Sequence, residues 1–278
     1  MKEDSFREKT AEEIFKNFKE HSVSEFFKKN SQMLGYSGRV RSLTTVIHEY
    51  VTNSLDATEE AGILPRIEVK IEEVGELRNR VLVKDNGPGI PSKHIGKALG
   101  SILKGTKFHR YMQQRGQLGI GAGGCTIFAI TTTGKPIHAI SFTNSEAFEC
   151  DISIDVRSNT PIVENLRKVE SNGERGLTIV GEFGETKYEE SDHGPLEYIR
   201  RTAIVNPHAE FIFRGPKGDE KIFPRSTNKI PSMPKEIMPH PLGITASDLL
   251  EIARRSENRK ISSMLQESLS RVSPEKVK

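Results

Sequence analysis

Three short stretches of this chain hold side chains able to do chemistry. The first is SLTTVIHEYVTNSLDATEEAGILP, residues 42–65. At a helical advance of about 100° per residue, Leu43, Val46, Ile47, Tyr50 and Val51 collect on one side. Glu49, Asn53 and Asp56 fall on the other, within an arc of about 60°. Such a stripe is either a solvated face or a place where a carboxylate and an amide act together on a ligand. A carboxylate can take a proton from a placed water. An amide oxygen one turn away is a hard ligand suited to Mg²⁺. His48-Glu49 also begins a zinc-protease motif, but that motif needs a second His at position 52, where Thr52 stands.

The second stretch is RVLVKDNGPGIP. It runs a short apolar strand, Val81 to Val83, into Asp85-Asn86-Gly87-Pro88-Gly89-Ile90. An Asp at a strand end, held against an apolar wall, can accept a hydrogen bond from an exocyclic amine such as that of adenine; a plain surface turn uses the same residue types. The third is RGQLGIGAGGC, Arg115 to Cys125, whose glycines leave backbone N–H groups free to approach an anion. Gly119 to Gly124 fits G-x-G-x-x-G, yet the preceding FHRYMQQR is polar and helix-like, where a dinucleotide site needs a strand. No Gly-Lys-Ser/Thr follows, which excludes a Walker A loop. Two weaker signals flank these. Pro91 to Arg115 is hydrophilic and reads as a mobile lid. ERGLTIVGEF reads as a strand whose Thr178 hydroxyl reaches toward Asp85.

Helices and strands in alternation must position these pieces. Ile67, Val69 and Ile71 alternate with Glu68 and Lys70, a half-buried strand between the helix and the Asp85 turn. The whole chain has 278 residues, enough for a core without disulfides. Two cysteines, Cys125 and Cys150, make neither a disulfide framework nor a four-ligand zinc site, and read as buried small residues. No apolar run is long enough to span a membrane, and the charged N-terminus lacks a signal-peptide core. A reducing, cytoplasmic compartment is expected. Pro231, Pro234, Pro239 and Pro241 crowd one stretch that resists helix and sheet alike. Beyond it, Leu249, Ile252 and Ala253, then Ile261, Leu265 and Leu269, recur at helical spacing, with Thr245 or Ser247 as cap. The boundary falls between 228 and 229. Residues 229–278 carry nine Lys+Arg against six Asp+Glu, all of the chain's +3 excess. That excess suits a solvated helix face or a phosphate-contacting surface.

Glu49-x-x-x-Asn53, Asp85-x-Gly87-x-Gly89 and Gly116-x-x-Gly119-x-Gly121 occur in that order. Together they resemble the three boxes of the GHKL ATPases, which include gyrase-type subunits, HSP90, MutL and histidine kinases. SVSEFFKKNSQMLGY, NSLDATEEAGILP, GTKFHRYMQQRGQLGIG, RTAIVNPHAEF and MPKEIMPHPLG further resemble the ATPase subunit of the type IIB DNA topoisomerases, the topoisomerase VI family, from about residue 20 to the end.

The resemblance implies a two-layer GHKL (Bergerat) α/β sandwich with a mixed, mainly antiparallel sheet. It implies an ATPase domain over 1–228, with an N-terminal strap before about residue 30 that reaches the other subunit of an ATP-bound homodimer. It implies an incomplete helix-two-turns-helix segment over 229–278. ATP and Mg²⁺ are the implied cofactors. Glu49 is implied as the general base, Asn53 as the Mg²⁺ ligand, Asp85 as the acceptor for the adenine amine, and Gly89 as the residue that lets the base approach. Thr106 and Lys107 lie in the lid. Gly116, Gln117, Leu118, Gly119, Ile120, Gly121, Ala122 and Gly123 are implied to wrap the phosphates. The implied function is an ATP-driven gate for DNA strand passage, with DNA and the DNA-cleaving subunit of topoisomerase VI as partners. The alternative is a non-hydrolysing scaffold or DNA-contact module of the same fold. Two departures carry expectations of their own. Gly123-Gly124 is more glycine-rich than the usual continuation, so the helix after the turn is expected to start late or pack loosely. The family's transducer domain, which brings a lysine to the γ-phosphate, is expected to be missing, so turnover by this chain alone is expected to be slow.

Overall fold

Strand alternation puts one of the singled-out carboxylates on the covered face of a sheet. The computed structural model describes residues 29, 31–32, 34–102, 115, 119–155, 158–171, 173–235 and 237–277. In β1 (Arg66–Gly75), Ile67, Val69 and Ile71 are buried while Glu68, Lys70 and Glu72 stay partly exposed. In β2 (Arg78–Asp85), Asn79, Val81, Val83 and Asp85 are the buried set. Side chains two apart share a face, so Asp85 points the same way as the core valines.

The sheet continues through β3 (Ile137–Phe142), β4 (Ala147–Asp155), β5 (Thr160–Lys168), β6 (Gly176–Gly184), β7 (Glu210–Arg214) and β8 (Glu220–Phe223). Its order is β5-β4-β3-β6-β2-β1-β7-β8. Among the described residues only β1 with β7 pairs parallel; the other neighbours are antiparallel. This is the mixed, mainly antiparallel sheet expected from the sequence. The central register opposes Lys84 to Thr178 and Ile67 to Asp85, which fixes the end of β2 between β1 and β6.

Helices lie on one face. α1 (Arg39–Glu60) packs on β1 and β2, α3 (Gly121–Thr133) on β4 and β6, and α4 (Pro195–Val205) on β7. α2 (Ser92–Leu99) wedges against α3, β4 and β5. α1 buries Leu43, Val46, Ile47, Tyr50, Val51 and Leu55. Each such side chain contributes roughly 1.5–3 kcal/mol relative to exposure, which anchors the helix whatever its polar stripe does.

Two expectations change here. The stretch from Pro91 does not begin as a lid: Ile95 and Leu99 of α2 and the following Ile102 are core residues, because their helical spacing turns them inward together. The rest of that stretch, with Thr106 and Lys107, lies outside the described residues, as do the N-terminal strap and Gly116, Gln117 and Leu118. Nor does the glycine-rich helix start late. α3 begins at Gly121, and Gly124 N–H already donates to Ile120 C=O at 2.6 Å. A Cβ on Gly123 would come within 2.1 Å of the Ser101 carbonyl oxygen, so the absent side chain lets α3 lie against the end of the α2 segment.

After β8, the backbone N–H groups of Ser226 and Thr227 both donate to the Pro207 carbonyl, which ties the chain to the sheet domain. Among the described residues, the proline-rich stretch then holds no regular element before a 3₁₀ turn at Pro241–Gly243. α5 (Ala246–Arg255) is capped by Thr245, whose hydroxyl accepts from Asp248 N–H while the Asp248 carboxylate accepts from Thr245 N–H. α6 (Ile261–Ser268) buries Met264, whereas α5 buries none of its residues. Among the described residues no helix is long and apolar enough to cross a membrane.

Candidate functional site

Asp85 is 5% exposed and sits at the mouth between β2, β6 and α1. Its Oδ1 accepts from Gly87 N–H at 2.9 Å and from Leu177 N–H at 3.2 Å. Its Oδ2 accepts from the Ser54 hydroxyl at 2.8 Å. A carboxylate offers about four lone-pair sites, so one position on Oδ2 remains for a further donor. Burial raises the Asp85 pKa above the ordinary carboxylate range, and the bonds from Gly87, Ser54 and Leu177 offset this in part. The bond from β6 comes from the Leu177 backbone, where the sequence pointed to the Thr178 hydroxyl.

Glycines hold this corner together. Gly176 has φ +130°, and a Cβ there would lie 2.0 Å from the Asp85 carbonyl oxygen. Gly89 has φ +71°, and a Cβ there would lie 2.4 Å from the Phe142 carbonyl oxygen. The turn is then stitched to β3 by Ser141, whose hydroxyl donates to Ile90 C=O and accepts from Ile90 N–H, both at 2.8 Å. The absence of a side chain at Gly89 thus serves the approach of the turn to β3.

Glu49 and Asn53 stand on the stretch of α1 that faces the start of α3. A Cβ on Gly121 would fall 1.9 Å from Glu49 Oε2, so the carboxylate lies directly on the glycine backbone. Burial raises the Glu49 pKa, and the neighbouring His48 lowers it by a smaller amount. Among the described residues no hydrogen bond or ion pair holds the Glu49 carboxylate. Asn53 is exposed, one turn further along. Gly119 takes φ +59°, a left-handed turn that leads into Ile120 and the first residues of α3, Gly121, Ala122 and Gly123. The N-terminal turn of a helix presents free N–H groups and the positive end of its dipole.

Asp56, the third member of the stripe, is engaged elsewhere. Arg115 Nη1 donates to Asp56 Oδ1 at 3.0 Å and to Glu59 Oε2 at 2.6 Å; Nη2 donates to Glu59 Oε1 and to Asn206 Oδ1, each at 2.9 Å. Asp85, Glu49, Asn53 and Gly119–Gly123 are therefore gathered along α1, while Gly89 is turned into β3. The sequence pattern does not single out Ser54, although it directly follows Asn53 and its angular position points it toward the sheet. Nor does it mark Arg115 as more than the first residue of the glycine stretch. Cys125, beneath this region, has its Sγ 3.3 Å from the Tyr36 hydroxyl, and burial pushes its thiol pKa up, away from reactivity.

A buried carboxylate with a spare acceptor position, a second carboxylate of raised pKa, an exposed amide and a glycine-lined helix start can together seat a molecule bearing an amine at one end and an anion at the other. A magnesium ion suits the same set. Asn53 offers a single neutral oxygen, and among the described residues no group of three or more His, Cys, Asp or Glu forms a protein cage. Mg²⁺ keeps water and phosphate ligands and takes few from protein.

The profile of the histidine kinase-, DNA gyrase B- and HSP90-like ATPases matches residues 38–180. The B-type subunit of type 2 DNA topoisomerase 6 from Pyrococcus horikoshii is 47% identical over 268 residues, covering 96% of this chain and 48% of the relative. The same subunit from Methanothermobacter thermautotrophicus is 45% identical over 265 residues, covering 94% and 50%. Its counterpart in Thermococcus onnurineus is 46% identical over 268 residues, covering 96% and 48%. The chain spans about half the length of the curated relatives it matches.

Proposed function

Since the chain belongs to the histidine kinase-, DNA gyrase B- and HSP90-like ATPase family, we propose that it binds ATP along α1 and hydrolyses it there, as the nucleotide-driven gate of a type IIB DNA topoisomerase. The adenine amine donates to the spare lone pair of Asp85 Oδ2. The triphosphate lies on the N-terminal turn of α3, Gly119 to Gly123; Gly116, Gln117, Leu118, Thr106 and Lys107, which lie outside the described residues, are proposed as further contacts. Glu49 takes a proton from the attacking water. Its raised pKa makes it a stronger base than a solvated glutamate, and among the described residues no hydrogen bond occupies its lone pairs. Asn53 would hold Mg²⁺. When bound, that ion supplies positive charge to the phosphate oxygens.

The observation that carries this reading is Asp85: a nearly inaccessible carboxylate, held by three donors and still short of one. Asp85→Asn tests it. Oδ1 would keep the Gly87 and Leu177 bonds, and the Ser54 hydroxyl would rotate to accept from the new amide, so the fold is retained. The amide N–H would then face the adenine amine, donor against donor. Calorimetry with ATP and Mg²⁺ is expected to show binding by the wild type and a loss of about a hundredfold or more in the variant. Equal affinity in the two would end the proposal.

The relatives' names support a wider role. ATP would dimerise two copies, with the segment before residue 30 reaching across. Residues 229–278 would form a helix-two-turns-helix appendage to the 1–228 ATPase domain. The DNA-cleaving subunit of topoisomerase VI and DNA would be the partners. The expected readout is a size increase with a non-hydrolysable ATP analogue and Mg²⁺.

A further inference from the structure

We propose that Arg115 is the positioning residue for the glycine turn Gly119–Gly123. It would dock the chain entering that turn onto the same helix that carries Glu49 and Asn53. The inference rests on the proposed ATP site and adds a residue to it.

All four N–H groups on the two terminal nitrogens of Arg115 are used, two by Glu59 and one each by Asp56 and Asn206. A guanidinium so occupied has no terminal donor left to grip a phosphate, so its role is to fix the backbone. Its partners are themselves fixed. Asp56 and Asn206 are 8% and 6% exposed. Asn206 Nδ2 donates to Thr202 C=O at 2.8 Å, which locks it to α4. Glu59 Oε1 also lies 2.8 Å from Nε2 of His208, a buried side chain just before β7. The anchor thus joins α1, the end of α4 and the start of β7 at one point.

Distance makes the anchor matter. Asp56 lies three residues beyond Asn53 on α1, about 4.5 Å along the helix axis. Arg115 precedes Gly119 by four residues, a reach of at most about 14 Å. A slip of the anchor by one helical turn, about 5.4 Å, would move the turn by a distance comparable to the size of a phosphate group. The other end of the turn is held where Gly121 lies on Glu49. Charge matters as well. Without the guanidinium, the carboxylates of Asp56 and Glu59 would stand on α1 beside the site proposed for a triphosphate.

Affinities for ATP and for adenosine separate this role from a general effect on folding. Adenosine uses the Asp85 corner and not the turn. ATP is titrated by calorimetry with Mg²⁺, and adenosine by protein-observed NMR, which reads millimolar affinities. Arg115→Gln is expected to lose about tenfold or more for ATP and to stay within twofold of wild type for adenosine. Arg115→Lys, which keeps the charge but not the planar fork, is expected to recover only part of the loss. Asp56→Asn keeps an acceptor for Arg115 and removes one charge, and is expected to lose about threefold for ATP alone. It carries the test if Arg115→Gln does not fold. Unchanged ATP affinity in these variants would overturn the inference, and so would a matched loss for both ligands. If wild type takes up neither ligand, the ATP reading fails, and this inference with it.

Discussion

Two carboxylates line the proposed site, Asp85 buried and Glu49 half-buried, and they are held in opposite ways. Asp85 is gripped by Ser54, Gly87 and Leu177 within a corner that glycines close. Glu49 rests on the Gly121 backbone with no hydrogen bond among the described residues. Burial raises the pKa of both. One physical effect can thus suit the two carboxylates to the two roles proposed for them. An acceptor that must recognise a single N–H needs a fixed direction, which the three donors provide. A base, the role proposed for Glu49, needs a free lone pair and affinity for a proton, which partial burial with no hydrogen bond among the described residues would provide.

The largest effect is expected from Glu49→Gln set beside Asp85→Asn. Glu49→Gln is expected to keep ATP affinity and to lose roughly 10²–10⁴-fold in phosphate release, the usual worth of a positioned base. Turnover at the wild-type rate would mean that Glu49 is not the base, and that the two carboxylates do not divide the work.

Next comes the rigid corner. Gly176→Ala forces a side chain onto a backbone at φ +130° and toward the Asp85 carbonyl oxygen. The expected cost is about 3 kcal/mol or more in chemical unfolding, together with loss of adenosine binding. A neutral result would show that the corner yields, and that Asp85 is not held by its glycine neighbours.

The pH dependence sharpens the other half. Glu49 must be ionised to act, so turnover falls as pH drops through its folded pKa, which lies above the ordinary glutamate value of about 4.3. The linked effect on stability has the opposite sense. A carboxyl whose folded pKa is raised stabilises the fold while protonated, and that contribution is lost as pH rises through the folded value. Glu49→Gln is therefore expected to match wild-type stability in acid and to exceed it increasingly as the Glu49 carboxyl ionises. Unfolding curves at several pH values read this directly.

The smallest effect is expected furthest from the site. Thr245→Ala removes the reciprocal cap of α5 and is expected to cost about 1 kcal/mol of local stability by hydrogen exchange, with nucleotide affinity unchanged. A change in affinity would mean that residues 229–277 reach the carboxylates after all.

The sequence alone determined the periodic features. The 3.6-residue spacing placed Glu49 and Asn53 on one face of a helix opposite its core stripe. The apolar run Val81 to Val83 placed Asp85 at the end of a strand, and the order of the three boxes pointed to the fold. These are local properties, set by backbone geometry that repeats along the chain. Only the tertiary structure decided which side chains meet across distance: that Leu177 rather than Thr178 reaches Asp85, that Gly89 and Gly123 are small because Phe142 and Ser101 press on them, and that Arg115 closes on Asp56, Glu59 and Asn206. Those contacts join residues far apart in the chain, and no periodicity encodes them. They follow from the packing of α1, α3 and α4 on the sheet, where burial makes every unpaired polar group costly and every absent methyl group a place for another backbone.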